Sequence, residues 1–192
     1  MEHPLVVPEL AAADGFVLRP WRLTDLPLVR EAAADDYIPL ITTVPSPYTE
    51  PEGVAFVERQ WGRATTGTGY PFVVVAPDGR PVGNVGLWSR PEPDRASVGY
   101  WVAASGRGHG AALAALRAVA DWAQRDLGLT RLELHVEPWN TASVRTAERA
   151  GFRRERLVRD GLRIGSGYRD VFLYARQDGR HGGTPVESAT AL

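Results

Sequence analysis

Apolar residues recur along the chain with two different periods, and the changes of period mark its elements. Leu113, Leu116, Ala120, Ala123 and Leu127 follow helical spacing, with Arg117, Asp121 and Arg125 elsewhere on the wheel, and Gly128 ends the pattern. Over 130–136 the period drops to two: Leu132, Leu134 and Val136 alternate with Glu133, His135 and Glu137, as on a strand. Apolar runs at 16–21, 70–76, 81–88 and 95–102 predict further strands, the middle two joined at Asp78-Gly79, a strong hairpin signal. Thr24 through Pro27 reads as a helix start, with the helix running to about 35; Thr49 and Glu52 form a capping box that opens a second helix to about 63. A short helix follows Asn140, Gly151-Phe152 opens another strand, and Asp160-Gly161 predicts a hairpin between strands near 152–158 and 170–174.

The order is strand, two helices, three strands, helix, strand, helix, two strands. It predicts an α/β (α+β) domain: a mixed, mostly antiparallel sheet of about seven strands with helices on both faces. The expected organisation is an N-terminal extension over 1–14, one domain over 15–176 and a flexible polar tail over 177–192. No internal repeat is visible.

Composition narrows the function classes. At 192 residues, 44% hydrophobic and 23% charged, the chain fits one ordinary soluble domain with a sizeable core. A net charge of −1 gives no bulk field to recruit nucleic acid. Without cysteine there is no disulfide framework, no thiolate zinc site and no cysteine nucleophile, and no metal is expected. No run is apolar enough to span a bilayer and the first residues lack a signal segment, so a cytoplasmic enzyme is the expectation. All 22 basic residues are arginine, which a GC-rich coding bias explains, so the chain carries no lysine amine.

The candidate chemistry starts at Arg107-Gly108-His109-Gly110-Ala111-Ala112, a glycine-rich turn opening the long helix. First-turn N–H groups and the helix dipole make such a turn an anion cradle, and glycines let a diphosphate approach the backbone. By itself the stretch fits a plain connecting turn equally well. Gly106-x-Gly108-x-x-Ala111 with Glu133 also fits a dinucleotide fingerprint, but it arrives mid-chain after an antiparallel meander, where that fold needs an opening βαβ unit and further parallel repeats.

The surrounding segments carry a resemblance. Arg107-x-x-Gly110-x-Ala112 is similar to the acetyl-coenzyme A signature (Gln/Arg-x-x-Gly-x-Gly/Ala) of the GCN5-related N-acetyltransferases, the GNAT family. Asn140-x-x-Ser143 followed by Ala150-Gly151-Phe152 is similar to the family's next motif. The stretch from Leu162 through Tyr168, Asp170 and Tyr174 resembles the RimJ/RimL-like branch, which acetylates ribosomal-protein N-termini and has relatives acting on small amines. The likeness spans roughly 16–176, nearly the whole chain.

The resemblance implies a GNAT-like domain in which two central parallel strands, here near 97–102 and 131–136, splay apart to admit the pantetheine arm. Backbone groups of Trp101 and Val102 then pair with its amides. The diphosphate rests on Arg107, Gly108, His109, Gly110, Ala111 and Ala112; Asn140 holds the arm, and Ser143 protonates the departing thiolate. Read as plain structure, Asn140 is a helix N-cap and Ser143 a first-turn polar residue. Many relatives carry a glutamate base where this chain has Ser97. Glu133, His135 and Glu137 on one strand face are replacements by geometry, as are Asp35 and Asp36, although each is more often a solvated surface charge. His135 has the most suitable ordinary pKa. The acceptor site is expected from the aromatic front, Tyr37, Ile38, Tyr48 and Trp88, with Trp61 better explained by core packing. The implied activity is transfer of an acetyl group from acetyl-CoA to a primary amine, by a monomer or homodimer with no nucleic-acid or membrane partner. The alternative is a catalytically weak acyl-CoA-binding or regulatory module.

Overall fold

One parallel strand pair in an otherwise antiparallel sheet shapes the molecule. The computed structural model describes residues 4–178. In chain order the elements are β1 Leu10–Ala11, β2 Val17–Arg19, α1 Leu26–Ala33, α2 Ile38–Ile41, α3 Glu50–Thr65, β3 Gly69–Val75, β4 Pro81–Ser89, β5 Arg95–Val102, α4 Ala111–Arg125, β6 Arg131–Val136, α5 Thr141–Arg149, β7 Arg153–Ile164 and β8 Gly167–Gln177. The strands form one sheet in the order β1-β2-β3-β4-β5-β6-β8-β7. Among the described residues only β5 and β6 run parallel, and they pair only at their starts, from Arg95↔Arg131 to Ser97↔Glu133. Beyond Ser97 the two strands part, as the resemblance implied.

Helices cover both faces. Alternation on β5 sends Ala96, Val98 and Tyr100 toward α4 and Trp101 toward α1–α3. On α4 the buried stripe is Ala115, Leu116, Val119, Ala120, Trp122 and Ala123, with Trp122 edge-on to Tyr70 at 4.8 Å and Phe72 at 5.7 Å. The predicted stripe is therefore right in its middle and wrong at its end: the helix stops at Arg125, and Leu127 lies beyond it at the surface. Removing the buried Leu116 side chain is worth about 2–5 kcal/mol of stability. On the other face Trp21, Val29, Phe56, Val57 and Trp101 form a second core. Beside it the buried Asp25 carboxylate takes two bonds from Arg19, at 2.7 and 2.8 Å, and one from Arg22 N–H. Thr49 Oγ1 caps α3 by accepting Glu52 N–H, as its sequence predicts.

Three expectations are corrected. The sheet has eight strands among the described residues, because Leu10 and Ala11, assigned to an extension, pair with Leu18 and Val17. Asp160-Gly161 is no hairpin turn. β7 runs through it with a register shift between Val158 and Leu162, Asp160 takes φ 47°, and the Asp170 carboxylate accepts its N–H at 3.0 Å, the features of a bulge. The turn is the two-residue Gly165-Ser166 loop, with Gly165 at φ 61°. Strand β8 extends through Gln177, one residue into the predicted tail; the rest of that tail, from 179 onward, lies outside the described residues.

Candidate functional site

Where β5 and β6 part, a cleft of about 1020 Å³ runs through the molecule from the α4 loop to the helices of the opposite face. Residues 98–102 line one wall and Leu134, His135, Val136 and Glu137 the other.

At one end Gly108 and Gly110 adopt φ 81° and 85°. A Cβ at either would meet nothing within 4 Å, so packing does not demand glycine there; backbone conformation and open approach do. Gly106 differs, since a Cβ would lie 2.6 Å from Val82 Cβ. No side chain caps α4, and Ala114 N–H bonds Gly110 C=O at 3.0 Å, which leaves the N–H groups of Ala111, Ala112 and Leu113 without an intrahelical acceptor. All three residues line the cleft. Arg107 is not a free charge: it donates to Val102 C=O at 3.0 Å and to the Asp35 carboxylate at 2.5 Å. Its charge is compensated, and it fastens the loop to the end of β5. Burial alone would raise the Asp35 pKa, but the N–H groups of Ile38 and Tyr37 and the Arg107 guanidinium more than offset it and hold the carboxyl below its ordinary value. His109 is exposed and does not line the cleft, contrary to its expected place in the diphosphate site.

At the cleft's middle Asn140 caps α5, its Oδ1 accepting Ser143 N–H at 3.0 Å. Both residues line the cleft, so the cap leaves them at its wall. Opposite them lies Tyr100, which the sequence did not single out. Its buried hydroxyl lies beside the Ser143 and Thr146 hydroxyls; burial raises its pKa, and those two hydroxyls partly offset the rise.

The expected bases fare differently. Glu133 does not reach the cleft: it accepts from Arg90 and Arg131, both at 2.8 Å, on a separate groove. Burial would raise its pKa, but the two guanidinium groups more than reverse this and hold it low. A carboxylate so paired is a poor proton acceptor, which corrects its assignment as a base. His135 lines the cleft, and burial, followed by the Arg90 charge, pushes its pKa below the ordinary value, so the imidazole is neutral at pH 7. Glu137 is buried and accepts a short hydrogen bond from Tyr37 Oη, whose pKa burial and this carboxylate raise.

Of the expected acceptor residues, Tyr37, Ile38 and Trp88 line the cleft. Tyr37 also packs edge-on to Trp139 at 5.0 Å. Tyr48 does not line it: its ring sits beneath Gly53 and Arg30, in the second core, where aromatic burial outweighs exposure. Trp61 is neither core nor cleft; it is 41% exposed and donates Nε1–H to Trp21 C=O. Ser97 and Gly99 form the floor between Trp88 and the parted strands.

Relatives place this architecture. A sequence model of the acetyltransferase (GNAT) domain matches residues 16–153. A Bacillus subtilis (strain 168) protein named "Probable N-acetyltransferase YjcK" is 34% identical over 100 residues, 51% of this chain and 55% of its own length. The chain thus spans about half the length of that curated relative. Among solved structures, Mycobacterium smegmatis RimJ in complex with CoA-disulfide superposes with a TM-score of 0.78 at 28% identity, covering 94% of this chain and 91% of RimJ. An acetyltransferase (GNAT family) from Bacillus anthracis gives 0.76 at 22% identity over 88% and 98%, a likeness of fold. With the family match covering most of its sequence and the parted parallel strands at its centre, the chain belongs to the GNAT acetyltransferase family.

Proposed function

We propose that this protein moves an acetyl group from acetyl-CoA to a primary amine, a protein N-terminal α-amine or the amine of a small molecule, by direct attack on the thioester. One observation carries the reading: the β5–β6 gap joins the left-handed glycine turn, the Ser143 hydroxyl and an aromatic cavity in a single cleft. The residues fit the coenzyme. The space at Gly108 and Gly110 suits a diphosphate on free N–H groups, and the parted edge of β5 around Trp101 and Val102 suits an amide-bearing arm. When bound, acetyl-CoA supplies an acyl group already activated as a thioester.

The chain's own residues do the rest. Gly108, Gly110, Ala111 and Ala112 bind the diphosphate, and Arg107 with Asp35 keeps that loop against β5. Asn140 orients the first turn of α5, so that Ser143 faces the gap and can give a proton to sulfur as the C–S bond breaks. The amine nitrogen forms the new C–N bond and releases its proton to water or to neutral His135. Proximity in the gap supplies much of the rate, and no covalent enzyme intermediate is needed. A cytoplasmic location and a monomeric or homodimeric state belong to the same proposal.

The test is thiol release from acetyl-CoA over a panel of α-amines and alkyl amines, with the acceptor's mass shift as confirmation. Acetyl-CoA binding without turnover on any amine would leave the chain a binding module, the reading that Ser97 and the ion-paired Glu133 favour. Thermal stabilisation by NAD in preference to acetyl-CoA would overturn both.

A further inference from the structure

The half of the cleft facing α1–α3 holds a cation with no ionic partner. Arg63 on α3 is half-buried and lines the cavity, yet among the described residues no carboxylate forms an ion pair with it. The cavity's own carboxylates are engaged elsewhere, Asp35 with Arg107 and Glu137 with Tyr37. Arg63 is nevertheless held in place. Its Nη1 donates to Gln60 Oε1 at 2.8 Å, and Gln60, buried to 1% exposure, is anchored by its own amide to Phe56 C=O at 3.0 Å. Its guanidinium carbon lies 4.7 Å from the Trp88 ring centroid.

The Trp88 platform is itself built in. Gly86 and Gly69 clear the sheet surface for the indole: a Cβ would stand 2.1 Å from Trp88 Cζ2 at Gly86 and 2.4 Å from Cε3 at Gly69. Trp88 is the register partner of Ser97, the last β5 residue paired to β6, so the platform lies beside the opening of the gap. Trp88 Nε1–H donates to no other described residue. A half-buried, unpaired guanidinium is unfavourable unless an anion completes it, and its planar fork matches a carboxylate. The neighbouring Arg59 adds to the demand; burial and that like charge lower the Arg63 pKa.

We propose that the acceptor is an amine carrying its own carboxylate, which Arg63 binds on the Trp88 platform while the amine lies over Ser97 and Gly99. This rests on the acetyl-transfer reading above. The carboxylate has two possible sources, a free amino acid or an acidic side chain next to a peptide's N-terminal amine.

The experiment compares acceptors and one variant. The panel is amino acids against their amides, short C-terminally amidated peptides with Glu against Gln at the second position, and aminoalkyl phosphates. The wild type should favour the carboxylate member of a pair by about tenfold or more in kcat/KM, the scale of one charge-assisted bond. Whether the amino-acid or the peptide pair shows it identifies the source. Arg63→Gln should erase that preference while leaving the acetyl-CoA affinity unchanged, which excludes misfolding. Equal use of both members by the wild type, a preference surviving in R63Q, or stronger use of the phosphates would overturn the proposal. Should no amine turn over, acetyl transfer itself fails, and calorimetry on the CoA-saturated protein decides the carboxylate site: binding of the acids by wild type and not by R63Q sustains it, and no binding overturns it.

Discussion

Replacing Gly110 with alanine separates the two reasons a glycine can be needed at the α4 turn. With φ 85° and ψ −2°, the residue is left-handed, a conformation that costs an L-residue about 1–2 kcal/mol. Nothing lies within 4 Å of the added Cβ, so the protein contributes no further clash. At about 2–4 °C per kcal/mol for a chain this size, the melting temperature without ligand should fall by roughly 2–8 °C. Gly128, just past α4, is the control: φ 68°, the same open surroundings, and no place in the cleft. Gly128→Ala should lose similar stability. Coenzyme affinity should part them. A methyl group at Gly110 holds a diphosphate away from the α4 N–H groups, and weakening one charge-assisted bond by about 1.5 kcal/mol is about tenfold in Kd. Calorimetry with acetyl-CoA should show Gly110→Ala about tenfold weaker and Gly128→Ala like wild type. If the two variants bind acetyl-CoA equally, the loop is a turn and the diphosphate site lies elsewhere.

Other outcomes follow from the same geometry. Ser143→Ala should lower kcat by about tenfold or more with little change in the KM for acetyl-CoA, because a proton given to sulfur matters mainly in the transition state; steady-state kinetics would demote Ser143 to a coenzyme contact if KM rose instead. Asp35→Asn should weaken acetyl-CoA binding by about three- to tenfold, the worth of one partly exposed ion pair, by loosening the loop that Arg107 ties to Asp35. Because the folded-state pKa of Asp35 is depressed, its contribution is complete above the ordinary carboxylate range and is lost as pH falls through the lower folded value, so an affinity titration should show wild type approaching D35N only in acid. At subsaturating acceptor, the rate should rise with pH to a plateau set by the acceptor's own pKa, moving between α-amines and alkyl amines and persisting in His135→Gln; one fixed inflection that vanishes in H135Q would make His135 the base.

What the sequence disclosed was local. The glycines at 108 and 110 carry their backbone requirement with them, Asn140 and Thr49 cap the helices that follow them, and alternation over 131–136 assigns the two faces of β6. Periodicity correctly put Glu133 and His135 on one face, but one of the two arginines that neutralise Glu133, Arg90, lies far away in sequence. Tyr48 and Tyr37 look alike as aromatics in a proline-rich stretch; only the packing beneath Gly53 and the reach to Glu137 tell them apart. Leu10–Ala11 is too short to show a period, and Asp160-Gly161 carries turn chemistry that the sheet uses for a bulge. Arg63 had a faint signal, an arginine three residues after Gln60 on the helix, which becomes legible once both are seen to line the cleft and bond each other.

Ser97, standing where the resemblance implies a glutamate base, bears on how the acceptor loses its proton. An ammonium keeps its proton when an opposite charge is close and loses it more readily in apolar or cationic surroundings. An amine that carries a carboxylate brings its own opposite charge, which raises its pKa in water. Paired to Arg63, that carboxylate no longer serves the ammonium, and Phe56, Ile41 and Trp88 in the cavity wall withdraw water from it. Each unit by which the amine pKa falls is about 1.4 kcal/mol toward the neutral form. On the carboxylate proposal, recognition and deprotonation are then one event: the cation that selects the acceptor also weakens its amine as a base, and a site without a free carboxylate in its wall needs no glutamate at position 97.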